Sequence, residues 1–305
     1  MGMLRGRTTA IAAAFAIAAV AAVTAGCGGG STSRALALDP VAAAATKTQN
    51  AGAVRIRFTL DLGSPQLQGK PIRLHGSGAI DGTSAEMTFP LGALFRQTGI
   101  PAGAMPNATM AQLRHEKMKE VALEENGDYV VYLGLAFLSS QLPGGKQWIK
   151  LDVSKLGKSA GIDLGKLLSG SQLQPSDLLG MLRGEGAEIA KVGPATIDGT
   201  TTTHYRVKID VAKALQAKGL TSPLLGGIAA QMPTVPEDVW IGKDGLVRRV
   251  RVSYGFAKAG RRAHVGMTMD LFDYGAHVSI AAPPESDVFD ATQFAQQGLG
   301  NALLH

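Results

Sequence analysis

One serine in this sequence has the flanking glycines of a hydrolase nucleophile. The pattern G-x-S-x-G spans residues 157–161 around Ser159, between a predicted strand and a predicted helix. A nucleophile elbow of this kind belongs to a parallel sheet of alternating strands and helices, whereas the hairpins described below predict an antiparallel sheet. A chance match in a loop is the favoured interpretation, because the chain contains 39 glycines. Enzymatic activity would require the fold to bring a histidine and an acid to Ser159.

Histidines and acids could also form a metal site, and one stretch begins like a zinc-binding helix. Residues 115–119 follow the motif H-E-x-x-H only in part, because Lys119 stands where the second histidine must be. The six histidines are scattered, and His75 and His204 fall on polar positions of predicted strands. We therefore expect surface or hydrogen-bonded histidines, no metal, no cofactor, no catalytic residue and no enzyme activity.

The single cysteine, Cys27, has the sequence context of a lipidation site. Arg5 and Arg7 precede an apolar run over residues 11–23, and small residues lead into the cysteine. This pattern predicts a lipoprotein signal peptide over residues 1–26, cut before a cysteine whose sulfur carries a diacylglycerol. The alternative is an ordinary signal peptide cut nearby, for example after Ala25, which would leave an incidental thiol.

The segments around Cys27 predict where the protein resides. The apolar part, residues 11–26, is 16 residues long, too short for a permanent span of a hydrocarbon core of about 30 Å. Residues 27–38 are rich in glycine and serine and predict a flexible tether. Two acyl chains give stable anchoring. We expect a domain over residues 39–290 and a tail over 291–305, held on the extracytoplasmic face of the cell membrane through a diacylglyceryl cysteine.

The composition argues against a nucleic-acid-binding protein and against one that disulfides hold together. The formal charge of +6 becomes +4 when Arg5 and Arg7 leave with the signal, which argues against a nucleic-acid partner. An exported chain with one cysteine has no disulfide framework, so its core must hold it together. Aromatic residues make up only 5 % of the chain, so we expect an aliphatic core.

Alternating apolar and polar residues predict many short strands joined by hairpins. Asp81-Gly82, Asn126-Gly127, Asp198-Gly199 and Asp244-Gly245 are the turn signals. The predicted strands cover residues 54–62, 72–80, 85–89, 117–123, 129–133, 147–152, 188–192, 202–209, 236–242, 246–254, 263–274 and 277–280. Predicted helices cover residues 38–50 and 211–218, and two leucine-patterned helices lie within 154–182. These elements predict an α+β fold, a strongly bent antiparallel sheet with helices packed on one face.

Two strand glycines, a concentration of basic residues and an irregular apolar segment also allow predictions. Gly76 and Gly78 fall on the apolar positions of their strand, which predicts a bend or a close approach there. Basic residues concentrate at residues 248–251 and 261–262; a solvated strand face is favoured over contact with anionic headgroups. The irregular apolar segment 90–110 either caps the core or lines a cavity for an acyl chain.

The order of these features resembles the LppX/LprA/LprF/LprG lipoprotein family of mycobacteria and other actinobacteria. The resemblance covers residues 39–290 and rests on the lipobox cysteine, the helix and strand over 41–62, and the segments 148–150, 198–199, 203–207, 239–241, 244–249 and 271–275. It implies an unclosed half-barrel, similar to the LolA and LolB carriers, with helices packed over its concave face and an apolar cavity between them. Family members carry or present lipids and glycolipids in the envelope. The implied ligand is thus a lipid or glycolipid, and an envelope transporter is a candidate partner.

Strand position and apolarity select the candidate lipid-binding residues, although the same residues could equally be plain core. They are Ile56, Phe58, Leu60, Met87, Phe89, Leu94, Phe95 and Leu133. Burial would govern binding, at about 0.8 kcal/mol per methylene. The alternative function is a structural or signalling envelope lipoprotein with a filled core that binds a protein partner.

Overall fold

The structure is a computed structural model that describes residues 40–63, 72–90, 92, 115–134, 136, 139, 142–159, 187–217, 223–258 and 261–303. Twelve described segments are strands of one sheet: β1 (Val54–Gly63), β2 (Ile72–Asp81), β3 (Ser84–Pro90), β4 (Lys117–Glu125), β5 (Asp128–Gly134), β6 (Trp148–Asp152), β7 (Ala187–Ile197), β8 (Thr200–Asp210), β9 (Thr234–Gly242), β10 (Val247–Lys258), β11 (Arg261–Phe272) and β12 (Val288–Asp290). The described helices are α1 (Pro40–Gln49), α2 (Val153–Ser159), α3 (Val211–Ala217), α4 (Pro223–Gln231) and α5 (Thr292–Leu303).

The sheet is open. Its spatial order is β12-β6-β5-β4-β3-β2-β1-β11-β10-β9-β8-β7, and within the described ranges β7 and β12 are not paired with each other. Among the described strands, every pairing is antiparallel apart from that of β12 with β6, which is parallel. The α+β class and the large, largely antiparallel, unclosed sheet that the sequence predicts are therefore confirmed.

The hairpin turns form where the dipeptides predict them. Asn126 and Gly127 have φ angles of 54° and 83°, and Asp198 and Gly199 have φ angles of 47° and 79°. Two consecutive positive φ angles match the right-handed twist of the strands that the turn joins. These turns fix the registers of β4 with β5 and of β7 with β8.

One prediction about the last strands is wrong, and one strand was not predicted. Residues 277–280 form no strand; instead Ile280 packs against Val121, Val130 and Tyr132. The sheet edge that the prediction overlooked is occupied by β12, whose Val288 lies opposite Trp148. Local alternation cannot distinguish an apolar residue that packs onto a sheet from one that joins it, and this accounts for the error.

Helix α1 docks on the sheet through small apolar side chains. In α1, Val41, Ala44 and Ala45 are buried in the cluster that contains the apolar residues of β1, β9 and β10.

Asp210 ends β8 and caps α3, since its carboxylate accepts a hydrogen bond from the backbone N–H of Lys213 at 3.0 Å. Helix α4 was not predicted. The leucine-patterned helices over 164–182 lie outside the described residues.

Residues after Asp290 continue as α5, which contacts β6 and α2. The carboxylate of Asp290 accepts a hydrogen bond from the backbone N–H of Thr292 at 2.9 Å, and the hydroxyl of Thr292 accepts one from the backbone N–H of Asp152 at 3.0 Å. Within the described part of the chain, no helix has both the length and the apolarity needed to cross a membrane.

Candidate functional site

The strand registers place six of the eight predicted lipid-binding residues on one face of the sheet. We call this the Phe58 face and the opposite one the Arg57 face, after two consecutive residues of β1. On the Phe58 face, Ile56 lies opposite Leu271 and Gly78, Phe58 opposite Met269 and Gly76, and Leu60 opposite Met267 and Leu74. Side chains of one strand alternate between faces, so these pairings define rows that run across the strands.

The row through Ile56 extends over seven neighbouring strands, from β11 to β6. Gly78 lies opposite Met87, and Glu120 lies between Met87 on β3 and Leu133 on β5. Ile56 is 1 % exposed, whereas Met87 and Leu133 are half-buried. Three of the predicted residues thus share one row, although the sequence separates Ile56 from Leu133 by 77 positions.

Phe89 joins the same face through an aromatic contact. Its ring packs edge-on against the ring of Phe58, with 4.9 Å between centroids. Of the eight predicted lipid-binding residues, the structure therefore brings six onto the Phe58 face: Ile56, Phe58, Leu60, Met87, Phe89 and Leu133. Leu94 and Phe95 lie outside the described residues, as do Cys27 and most of the apolar segment 90–110.

Burial changes along the Phe58 face. Near α1 the side chains are fully enclosed, and Val250 and Leu271 are 0 % and 2 % exposed. Towards the other ends of β1 and β11, Leu60, Met267 and Met269 are only half-buried. The face therefore combines a closed core with an aliphatic, methionine-containing surface.

Two acids interrupt this apolar face, and the sequence analysis missed both. Glu120 lies in the row of Ile56, and burial raises the pKa of its carboxyl. Glu237 on β9 lies between Val207 and Val252 and is 1 % exposed. Burial first, and then the charge of Asp238, raise the pKa of Glu237 well above its usual value. An acid on the apolar position of an alternating strand was the signal that could have found them.

The Arg57 face carries the basic concentration that the sequence analysis singled out. Arg249 donates two hydrogen bonds to Asp270, and Arg251 donates one to Asp238 at 2.7 Å. Arg57 pairs with Asp198. These arginines are neutralised by neighbouring acids, as expected for a solvated strand face.

His204 confirms the interpretation of a satisfied strand histidine. Its Nε2 lies 2.7 Å from a carboxylate oxygen of Asp238, and its ring stacks on Trp240 with 4.3 Å between centroids. Burial alone would raise the pKa of Asp238, but hydrogen bonds from Arg251 and His204 lower it. The pair serves the packing of β8 against β9.

A cleft of about 530 Å³ lies largely over the Arg57 face. It is lined by Arg57, Phe58, Thr59, His75, Gly76, Ser77, Thr88, Pro90, Lys117, Asp198, Thr268 and Asp270. Most of these side chains are polar or charged, which suits water and polar groups better than hydrocarbon. This cleft therefore differs from the aliphatic cavity that the sequence predicts.

The catalytic alternatives gain no support from the geometry. Gly157 lies within α2 and Ser159 ends it, so the segment is not the strand-to-helix turn of a nucleophile elbow. His115 and Glu116 precede strand β4, where a zinc motif would require a helix. Among the described residues, no three histidine, cysteine or acidic side chains come together as metal ligands.

Comparison with known proteins gives matches among solved structures. LprF from Mycobacterium bovis is 14 % identical with a TM-score of 0.37, and the match covers 80 % of this chain and 95 % of that one. LppX from Mycobacterium tuberculosis is 13 % identical with a TM-score of 0.41, covering 80 % and 100 %. A LolA superfamily protein from Nitrosomonas europaea is 9 % identical with a TM-score of 0.26, covering 77 % and 92 %. No protein-family model and no curated protein matches the sequence. The lipoprotein family that the sequence resembles is thus represented among these structures.

Proposed function

We propose that this chain is an envelope lipoprotein that binds an acyl lipid or glycolipid on the Phe58 face of its open sheet. One observation carries the proposal. Six apolar side chains on that face are only half-buried: Leu60, Met87, Phe89, Leu133, Met267 and Met269. Unbranched, polarisable methionine side chains adapt to irregular apolar partners such as acyl chains.

The sequence pattern supports the proposed positions of the lipid anchor, the tether and the helices. The Phe58 face would be the concave face of a half-barrel, with the helices predicted over 164–182 packed across it. Cys27 would carry the diacylglycerol, residues 27–38 would form the tether, and residues 39–290 would form the binding domain on the extracytoplasmic side of the cell membrane. Carriage or presentation of the lipid would involve an envelope transporter as partner.

The experiment compares native and denatured masses of the purified protein from Ser31 onward, followed by lipid extraction. A discrete mass excess that extracts as acyl lipid supports the proposal. A mass equal to the bare chain, with no uptake of added lipid, contradicts it and favours the filled-core lipoprotein that binds a protein.

Two tryptophan variants test the face that we assign. Met267→Trp places a large ring on the half-buried part of the Phe58 face and should reduce bound lipid without unfolding the domain. Thr268→Trp is the matched control, because Thr268 is the next residue on β11, is also half-buried, and points to the Arg57 face. Equal lipid content in the two variants would contradict the assignment of the face.

A further inference from the structure

Glu237 is a buried acid on an apolar face of the sheet. Within the part of the chain that the structure describes, neither of its carboxylate oxygens has a hydrogen-bond partner, and the residue is 1 % exposed. Its neighbours across the strands are Val207 on β8 and Val252 on β10. A buried polar group is costly when nothing satisfies it. A ligand that brings a hydrogen-bonding group to this position would account for an acid there.

The row of side chains that contains Glu237 also contains residues from the half-buried part of the Phe58 face. Val252 lies opposite Met267, and Met267 lies opposite Leu60. These three side chains are half-buried, whereas Glu237 is enclosed. At a strand spacing of about 4.8 Å, Leu60 and Glu237 are about 14 Å apart along the sheet. A hydrocarbon chain along this row would have aliphatic side chains beneath it and an acid at its closed end.

We propose that Glu237 is the polar anchor of the lipid site, and that the ligand carries an ester, amide or hydroxyl group that hydrogen-bonds to this carboxyl while its hydrocarbon lies along Val252, Met267 and Leu60. The inference rests on the proposed function and deepens it. As a neutral acid, Glu237 donates its O–H to a carbonyl oxygen of the lipid and accepts from a hydroxyl or an amide N–H. Pure hydrocarbon would leave the carboxyl unpaired. The site therefore selects acyl lipids over alkanes.

The test compares two ligands of nearly equal size, methyl palmitate and heptadecane, of which only the first has an ester. Both compete with the hydrocarbon dye diphenylhexatriene for the full chain. Every protein also carries Cys27→Ser, so that no acyl chain attached to Cys27 occupies the site. We expect methyl palmitate to bind about tenfold more tightly than heptadecane, as one hydrogen bond to a buried group would give.

Variants at Glu237 assign this preference to its carboxyl. Glu237→Leu and Glu237→Met should abolish the preference for the ester, whereas Glu237→Gln should retain most of it because an amide N–H still donates. Glu188→Leu is the control, because Glu188 lies on β7 with its side chain 80 % exposed. Thermal melting by circular dichroism shows that each variant is folded, and two apolar replacements guard against one that fails to fold.

The outcomes separate this inference from the proposed function. A parent protein that takes up neither the dye nor either ligand contradicts the proposed function itself. A parent that binds both ligands equally well, or a Glu237→Leu variant that keeps the preference for the ester, leaves lipid binding intact and overturns the role of Glu237.

Discussion

The ring of Phe58 fills the space beside Gly76 that any side chain at this glycine would need. A Cβ built at Gly76 would overlap the edge of that ring and would lie 2.8 Å from the backbone oxygen of Thr88. The missing side chain lets Phe58 on β1 reach Phe89 on β3, although β2 lies between them. The close approach that the sequence predicts at this glycine is therefore real, and it shapes the half-buried end of the Phe58 face.

Gly76→Ala should lower the free energy of unfolding by about 1–3 kcal/mol, because the added methyl must displace the Phe58 ring from its packed position. Urea denaturation measures the change. Gly255→Ala is the matched control, since a Cβ at this strand glycine would meet nothing closer than the Ala263 oxygen at 3.9 Å. Equal stability of the two variants would contradict the overlap at Gly76.

The hydroxyl of Thr48 joins α1 to the sheet through one buried hydrogen bond. The backbone N–H of Val247 donates to this oxygen at 3.0 Å, and Thr48 is 4 % exposed. Thr48→Val keeps the shape but leaves that N–H unpaired, so the free energy of unfolding should fall by about 1–3 kcal/mol. Thr46→Val, on the exposed side of α1, should have a much smaller effect in the same thermal melts. A small effect at Thr48 would show that α1 docks through its buried apolar side chains alone.

Much of this fold could be predicted because alternation is a local signal. The alternating pattern over residues 54–62 gives β1, and dipeptides such as Asn126-Gly127 give the hairpins. Antiparallel neighbours joined by short turns then place Ile56 and Met87 on one face without further information. The sequence could therefore predict that these two residues share one face of the sheet.

Long-range pairing and burial were not predictable. The parallel pairing of Val288 with Trp148 joins segments 140 positions apart, and nothing local specifies the partner of so short a strand. Likewise, Glu237 occupies an apolar position in its strand, but only the completed sheet shows that its carboxyl is enclosed and has no hydrogen-bond partner among the described residues. The polar anchor that we propose thus depends on tertiary structure.

The arginines of the Arg57 face should not mediate attraction to anionic lipid surfaces. Arg249 and Arg251 each have an acid partner, Asp270 and Asp238, so the pairs carry little net charge. In a Cys27→Ser background, a variant that removes both pairs together, Arg249→Gln with Asp270→Asn and Arg251→Gln with Asp238→Asn, keeps the net charge of its parent. It should sediment with phosphatidylserine-containing vesicles to the same extent as that parent. Vesicles of phosphatidylcholine alone are the control. A clear loss of sedimentation with the anionic vesicles would instead indicate that these arginines contact anionic headgroups.

The buried carboxyl of Glu237 should make the ligand-free protein less stable as pH rises. Below the unfolded-state pKa of about 4.5, the acid is protonated in both states, so it contributes nothing to the pH dependence of stability. Above it, the unfolded chain ionises while burial keeps the folded acid protonated, because the folded-state pKa is raised. The folded state then binds more protons, so stability falls by about 1.4 kcal/mol per pH unit until the folded-state pKa is reached.

Glu237→Gln removes this titration. Its stability advantage over the parent should be small near pH 4 and grow towards pH 7, as measured by urea denaturation of delipidated protein at about one-unit pH intervals. Glu188→Gln, at an exposed position, should show no such trend. A constant difference between Glu237→Gln and the parent across this range would mean that the carboxyl ionises in the folded protein. Glu237 would then need a cationic or hydrogen-bonding partner, and the residues that the structure describes provide none.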